Sequence, residues 1–216
     1  VPQSLQKNAN QCSITKQFTI GIIGKPGERV YKEATRALRR IDNRTGLFFL
    51  QGNLSVKDSN RSATVLIEVK RKALLNLYED ESYQLETGNQ QVRITANTDL
   101  GAIRALETLQ QLLSVGKGRY YIPGVTIQDA PRFPWRGLLL DITLHWMPMD
   151  VVKRTLDAMA AVKLNVFHMH LTEDLMFGIE SKVYPRLTTV GAEGNFYTQE
   201  NIKEIIAYAD QRGIRI

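Results

Sequence analysis

Residues 136–216 alternate two kinds of segment in an order that few folds accept. Arg136-Gly137-Leu138-Leu139-Leu140-Asp141-Ile142-Thr143 is a nearly unbroken apolar run, and Leu164 to Leu171 is a second. Such strands suit a parallel sheet buried on both faces, because a strand with one wet face alternates apolar and polar residues. Between the runs, Pro148 suits the first turn of a helix reaching about Val162. A loop of about 25 residues follows the second run. Thr198 then makes a good N-cap for a helix reaching Arg212, and Gly213 to Ile216 opens a third strand. The order β-α-β-α-β predicts a parallel sheet or a barrel. Three strands with two helices complete neither, so more chain is expected after Ile216.

The residues before this pattern have a different rhythm. Residues 1–17 are polar and patternless, which predicts a loose lead-in. Phe18 to Ile23 reads as a strand closed by Gly24-Lys25-Pro26-Gly27, a turn without the spacing of a phosphate-binding loop. Val30, Ala34, Leu38 and Ile41 recur at helical spacing, with Gly46 as the stop. Leu47 to Leu50 and Ala63 to Val69 read as strands around a polar connector. Residues 82–97 read as a hairpin turning at Gly88-Asn89. A second helix from about Leu100 carries Ile103, Leu106, Leu109 and Leu113, and Gly116 and Gly118 are expected to end it. Tyr120 to Ile122 and Val125 to Ile127 read as short strands. Residues 18–131 thus predict an α+β domain, two helices on one face of a mostly antiparallel sheet. Asp129-Ala130-Pro131-Arg132-Phe133-Pro134 breaks regular structure and separates it from residues 132–216.

Charge and cysteine usage narrow the function classes. The formal charge of +6 falls within residues 1–131, where 18 Lys and Arg stand against 12 Asp and Glu. Arg36, Arg40 and Arg44 can share one helix face. Without an aromatic platform or recognition motif beside them, a solvated face is expected rather than a nucleic-acid site. No apolar run approaches the roughly 18 residues of a membrane span, so no membrane partner is expected. Cys12 is the only cysteine, which excludes an intrachain disulfide. Glycosylation sequons occur at Asn43, Asn53 and Asn60. Val1-Pro2-Gln3-Ser4 reads as an end left after cleavage, and a secreted or periplasmic protein is expected.

Functional groups of α/β barrels gather at the C-terminal strand ends. There this chain places Asp141 to His145 after the first run and His168 to Asp174 after the second. Alternation puts Leu139, Asp141 and Thr143 on one face, and likewise Val166, His168 and His170. Asp141, His168, His170, Glu173 and Asp174 can therefore converge near one site, since ionisable groups collected on a buried face are costly without a role. His145, at the end of the first run, joins Asp141, His170, Glu173 and Asp174 as a candidate site residue. His168 reads as a satisfied core histidine. Trp135 and Trp146 flank the first run; aromatic faces can stack on sugars, and core packing is expected for Trp135. The His168-x-His170 pair also fits half of a zinc site, which leaves a metal-dependent barrel hydrolase as the alternative.

Taken in order, these stretches resemble family 20 glycoside hydrolases, the β-N-acetylhexosaminidases. The resemblance is carried by Arg136 to Asp141, Met147-Pro148, Leu156 to Ala160, Lys163 to Asp174, Ile179 to Lys182, Tyr197-Thr198 and Ile205 to Ile216. Upstream, Asn97 to Leu109 and Asp129 to Phe133 extend it. It implies that residues 132–216 are the first β-α-β-α-β segment of a TIM (β/α)8 barrel, preceded by an α+β domain with an antiparallel-rich sheet. It also implies retaining removal of terminal N-acetylhexosamine residues from a glycan, with the substrate's 2-acetamido oxygen as nucleophile and no cofactor. The family's catalytic Asp-Glu pair follows the fourth barrel strand, beyond Ile216, so this chain alone is expected to be inactive. Glu173-Asp174 resembles a supporting acidic pair. Two departures stand out. Leu144 occupies the place of an arginine that grips sugar hydroxyls, and Met169, Glu173 and Leu175-Met176 replace the usual Trp, Asp and polar or small pair. Leu144 leaves open a non-catalytic, sugar-binding member of the family.

Overall fold

The computed structural model describes residues 2–50, 53–55, 61–174 and 176–216, with Ser55 described by its backbone only. Val1 of the expected processed end, Asn60 of the third sequon and Leu175 lie outside the described residues. The chain divides into two compact units, Val1–Pro134 and Trp135–Ile216.

The first unit runs β1 (Ser4–Ile14), β2 (Ile20–Gly24), α1 (Glu28–Thr45), β3 (Leu54–Ser55), β4 (Val65–Arg71), β5 (Tyr83–Thr87), β6 (Val92–Thr98), α2 (Asp99–Leu112), β7 (Ser114–Gly116) and β8 (Arg119–Asp129). Among the described residues these strands form one eight-stranded sheet in the order β1-β8-β5-β6-β4-β2-β3, with β7 beside β8. Among the described residues four of its strand pairings are antiparallel, as expected, and three are parallel, so the sheet is mixed. The β2-α1-β4 crossover makes β2 and β4 parallel, and the β5-β6 hairpin brings β6 back parallel to β4. Val30, Ala34, Ala37 and Ile41 of α1 join Ile103, Leu106 and Leu109 of α2 over Ile20, Ile22, Ile67, Leu85 and Ile94 of the sheet. Gly46 ends α1 in the left-handed conformation, φ 63°, its N–H bonded to the Asp42 carbonyl.

Several expectations need correction. Residues 1–17 are not loose: Ser4–Ile14 is an edge strand along β8. Its side chains face water except at Cys12 and Ile14, so backbone pairing holds it and no apolar rhythm betrays it. Leu47 to Leu50 is not a strand, because Phe48 takes φ 54°. The two short segments around Pro123 are one strand, with Pro123 opposite Gln11 at the end of the bulge in β1. Helix α2 stops at Leu112, before the glycines; Lys117 and Gly118, both at positive φ, instead turn the β7-β8 hairpin. Asn53 is buried and donates its side-chain amide to the Phe18 carbonyl, which removes it as a sugar acceptor.

The arginine stripe is neither a polyanion site nor a solvated face. Arg36 binds Glu33, Arg40 bridges Glu33 and Glu107, and Arg44 donates to the Gln110 carbonyl. Glu33 and Glu107 are both buried, so the stripe is the charged seam between α1 and α2.

The second unit contains β9 (Gly137–Asp141), α3 (Met149–Ala161), β10 (Val166–His170), β11 (Thr172–Glu173), β12 (Met176–Phe177), α4 (Arg186–Thr189) and α5 (Gln199–Asp210). β9 and β10 are parallel, and Arg215 continues the pattern through a parallel bridge to Val166. Val152, Leu156 and Met159 of α3, with Ile205 and Ala209 of α5, pack with Phe167 on one side of these strands. Thr198 caps α5 in a full capping box with Asn201. The 25-residue loop holds the β11-β12 hairpin and α4. The first apolar run is not buried on both faces. Leu139 is 53% exposed and His168 is exposed, because no element among the described residues covers that side.

Candidate functional site

Parallel pairing fixes which side chains meet. Register sets Leu139 beside His168 and Asp141 beside His170, so both pairs share the uncovered face, while Leu140, Phe167 and Met169 pack into the core. Asp141 and His170 therefore lie together at the C-terminal ends of neighbouring strands. His168 sits one step deeper on the same face and is exposed among the described residues.

Each end is held by local chemistry. The chain turns sharply after β9, and one oxygen of Asp141 accepts from the Thr143 amide at 2.8 Å, the Thr143 hydroxyl at 2.6 Å and the Leu144 amide at 3.4 Å. These bonds, with the hydroxyl first, lower the Asp141 pKa, and nearby His170 adds to the effect. Its second oxygen makes no hydrogen bond among the described residues. After β10, the backbone folds into β11-β12, which returns Glu173 to His170: Nε2 and Oε1 are 2.8 Å apart. Asp141, His170 and Glu173 thus form one acidic rim with an imidazole at its centre. It can accept hydrogen bonds from hydroxyl or amide groups of a neutral ligand.

His145 and Asp174 are exposed, and neither has a hydrogen-bond partner among the described residues. Thr143, which the reading of the sequence passed over, is the residue that aims Asp141. An Asp followed two residues later by Thr at a strand end is a turn-forming pair, and that was the available signal. Trp135 is 53% exposed, contrary to its expected core role, while Trp146 packs on Tyr197 with ring centroids 4.6 Å apart. Leu144 is 85% exposed beside the rim. Among the described residues no three His, Cys, Asp or Glu side chains gather as a metal-ligand set, so the pairing of His168 with His170 remains half a site.

Comparison with known proteins places this chain in a family. Residues 133–216 match the description "Glycosyl hydrolase family 20, catalytic domain", and residues 1–112 match "beta-acetyl hexosaminidase like". A beta-hexosaminidase subunit alpha from Rattus norvegicus is 42% identical over 145 residues, 65% of this chain and 28% of that protein. The X-ray structure of a Flavobacterium johnsoniae chitobiase superposes with a TM-score of 0.95 at 46% identity, covering 99% of this chain and 32% of that one. An exo-β-N-acetylglucosaminidase from Vibrio harveyi, solved with N-acetylglucosamine, does so at 0.79 with 28% identity, covering 100% of this chain and 34% of that one. The chain is a glycoside hydrolase by descent and belongs to glycosyl hydrolase family 20. It spans about a third of the length of the relatives it matches.

Proposed function

We propose that this chain is the leading part of a β-N-acetylhexosaminidase, which removes terminal N-acetylhexosamine residues from glycans by substrate-assisted, retaining hydrolysis. The observation that carries the reading is the Asp141–His170–Glu173 rim on the uncovered face of β9 and β10, in a chain of this family. On this proposal, the two strands and the Arg215 segment open a (β/α)8 barrel whose remaining strands lie beyond Ile216. Leu139 and His168 then face its interior, which accounts for two strand residues left uncovered. Asp141, His145, His170, Glu173 and Asp174 bind or support the terminal sugar. The adjacent Asp and Glu that orient the acetamido group and protonate the leaving oxygen come from the later strands. No cofactor enters the chemistry, and the 216-residue chain alone is inactive.

The test is turnover of an aryl N-acetyl-β-glucosaminide by the full-length protein, with the first-formed product followed by proton NMR. The β-anomer should appear first, and fluorinating the acetamido group should slow the reaction, because it weakens the attacking oxygen. An α-anomer first, or a rate indifferent to fluorination, refutes the mechanism. Glycan binding without turnover would select the non-catalytic reading, which Leu144 in place of a sugar-gripping arginine favours.

A further inference from the structure

The face of the first unit's sheet that points away from α1 and α2 is a grid of polar side chains. Strand register places Gln128, Gln84 and Thr95 side by side across β8, β5 and β6, with Asn97 and Lys70 one row further along. These residues line a cleft of about 320 Å³. That volume lies at the small end of the roughly 300–1,000 Å³ typical of small-molecule sites, enough for one compact ligand.

The chemistry of the cleft selects among ligands. Two carboxamides and a hydroxyl each donate and accept, the combination that vicinal hydroxyls of a sugar ring require. Among the described residues the side chains of Gln84, Thr95 and Gln128 make no hydrogen bond to protein, so they meet a ligand without breaking one. The one cation, Lys70, already donates to Asn97 at 2.9 Å. Asp129 also borders the cleft, its carboxylate held by the Tyr83 hydroxyl and the Gln3 amide. Tyr83 is only 5% exposed, its hydroxyl donating to Asp129 at 2.8 Å, so no open aromatic or aliphatic surface invites an apolar guest.

We infer that this cleft is a second carbohydrate site, taking one neutral sugar unit on the outer face of the sheet. It is built wholly within the first unit and does not depend on the catalytic reading of the second. Without a stacking ring the affinity is weak, with Kd on the order of millimolar. Its use is to tether a glycan chain rather than to act on it.

The test is a titration of the full chain, labelled with 15N at its glutamine side-chain amides, with N-acetylglucosamine and N,N′-diacetylchitobiose. The Gln84 and Gln128 amide signals, assigned by their loss in Gln84→Leu and Gln128→Leu, should shift and saturate. The double variant should bind at least about tenfold more weakly. Thr95, Gln84 and Gln128 face outward, so the variants keep the fold, which unchanged backbone amide signals of β5 and β8 would verify. Stationary signals, shifts that rise without saturation, or tighter saturation by inorganic phosphate would each overturn the site.

Discussion

Protonation of Glu107 should make this protein more stable in weak acid than in weak base. Glu107 is buried between α1 and α2 beside the equally buried Glu33, and Arg40 bridges both carboxylates. Burial first, then the neighbouring Glu33 carboxylate, pushes the Glu107 pKa up from 4.5 to about 7, against the opposing pull of Arg40. A folded pKa above the unfolded one contributes stability that is fully present below the unfolded value and is lost as pH rises through the folded one. At about 1.4 kcal/mol per pKa unit, the loss between pH 4.5 and 8 is about 3 kcal/mol. For a unit of this size that corresponds to roughly 10 °C in Tm. The window is clean on its acidic side. Glu79, held at about 2 mainly by Arg71, gives stability present above pH 4.5 and lost only as pH falls toward 2. The assay is thermal unfolding by circular dichroism from pH 5 to 8, for the wild type and Glu107→Gln. The wild-type Tm should fall as pH rises, and the variant, isosteric but unable to ionise, should flatten the slope. A wild-type Tm that rises across this window, or a slope unchanged in the variant, refutes the reasoning.

Other consequences follow from single contacts. Asp99 is fully buried between Arg29 and the Ala73 amide, so Arg29→Ala should cost about 3–5 kcal/mol in urea unfolding by stranding a carboxylate. Thr198→Ala removes one half of the α5 capping box and should cost about 1 kcal/mol, read as earlier hydrogen exchange in the first turn of α5. A Cβ at Gly124 would collide with Asn8 Oδ1 and the Asn10 carbonyl oxygen, so Gly124→Ala should release β1, seen as loss of amide protection from Ser4 to Ile14. Thr143→Val should raise the Asp141 pKa toward the ordinary carboxylate value in an NMR titration, since the Thr143 hydroxyl is the first cause of its depression.

What could be read from residues alone was whatever a local pattern dictates. Val30, Ala34 and Ile41 announced α1 and Gly46 its end; Thr198 announced α5; the two apolar runs announced parallel strands. What escaped depended on partners distant in sequence. β1 is polar and pairs through its backbone with a strand more than a hundred residues away. The arginines of α1 looked like a solvated face because Glu107 lies 67 residues beyond Arg40. Positive φ at Phe48 and Lys117 moved a strand and a turn, and neither residue type signals it. At the candidate site, spacing brought Asp141, His170 and Glu173 forward as candidates, while the role of Thr143 and the exposure of His168 and Trp135 needed the fold.

The central claim is that the rim at the ends of β9 and β10 serves sugar hydrolysis. Its most direct test is kcat/KM for an aryl N-acetyl-β-glucosaminide, measured on full-length protein carrying Asp141→Ala or Glu173→Ala, with Lys203→Ala, an exposed residue of α5, as the control. Each rim variant should lose at least about tenfold, the cost of one sugar hydrogen bond to a charged group, and the control should be unchanged. Rim variants as active as the wild type would contradict the account.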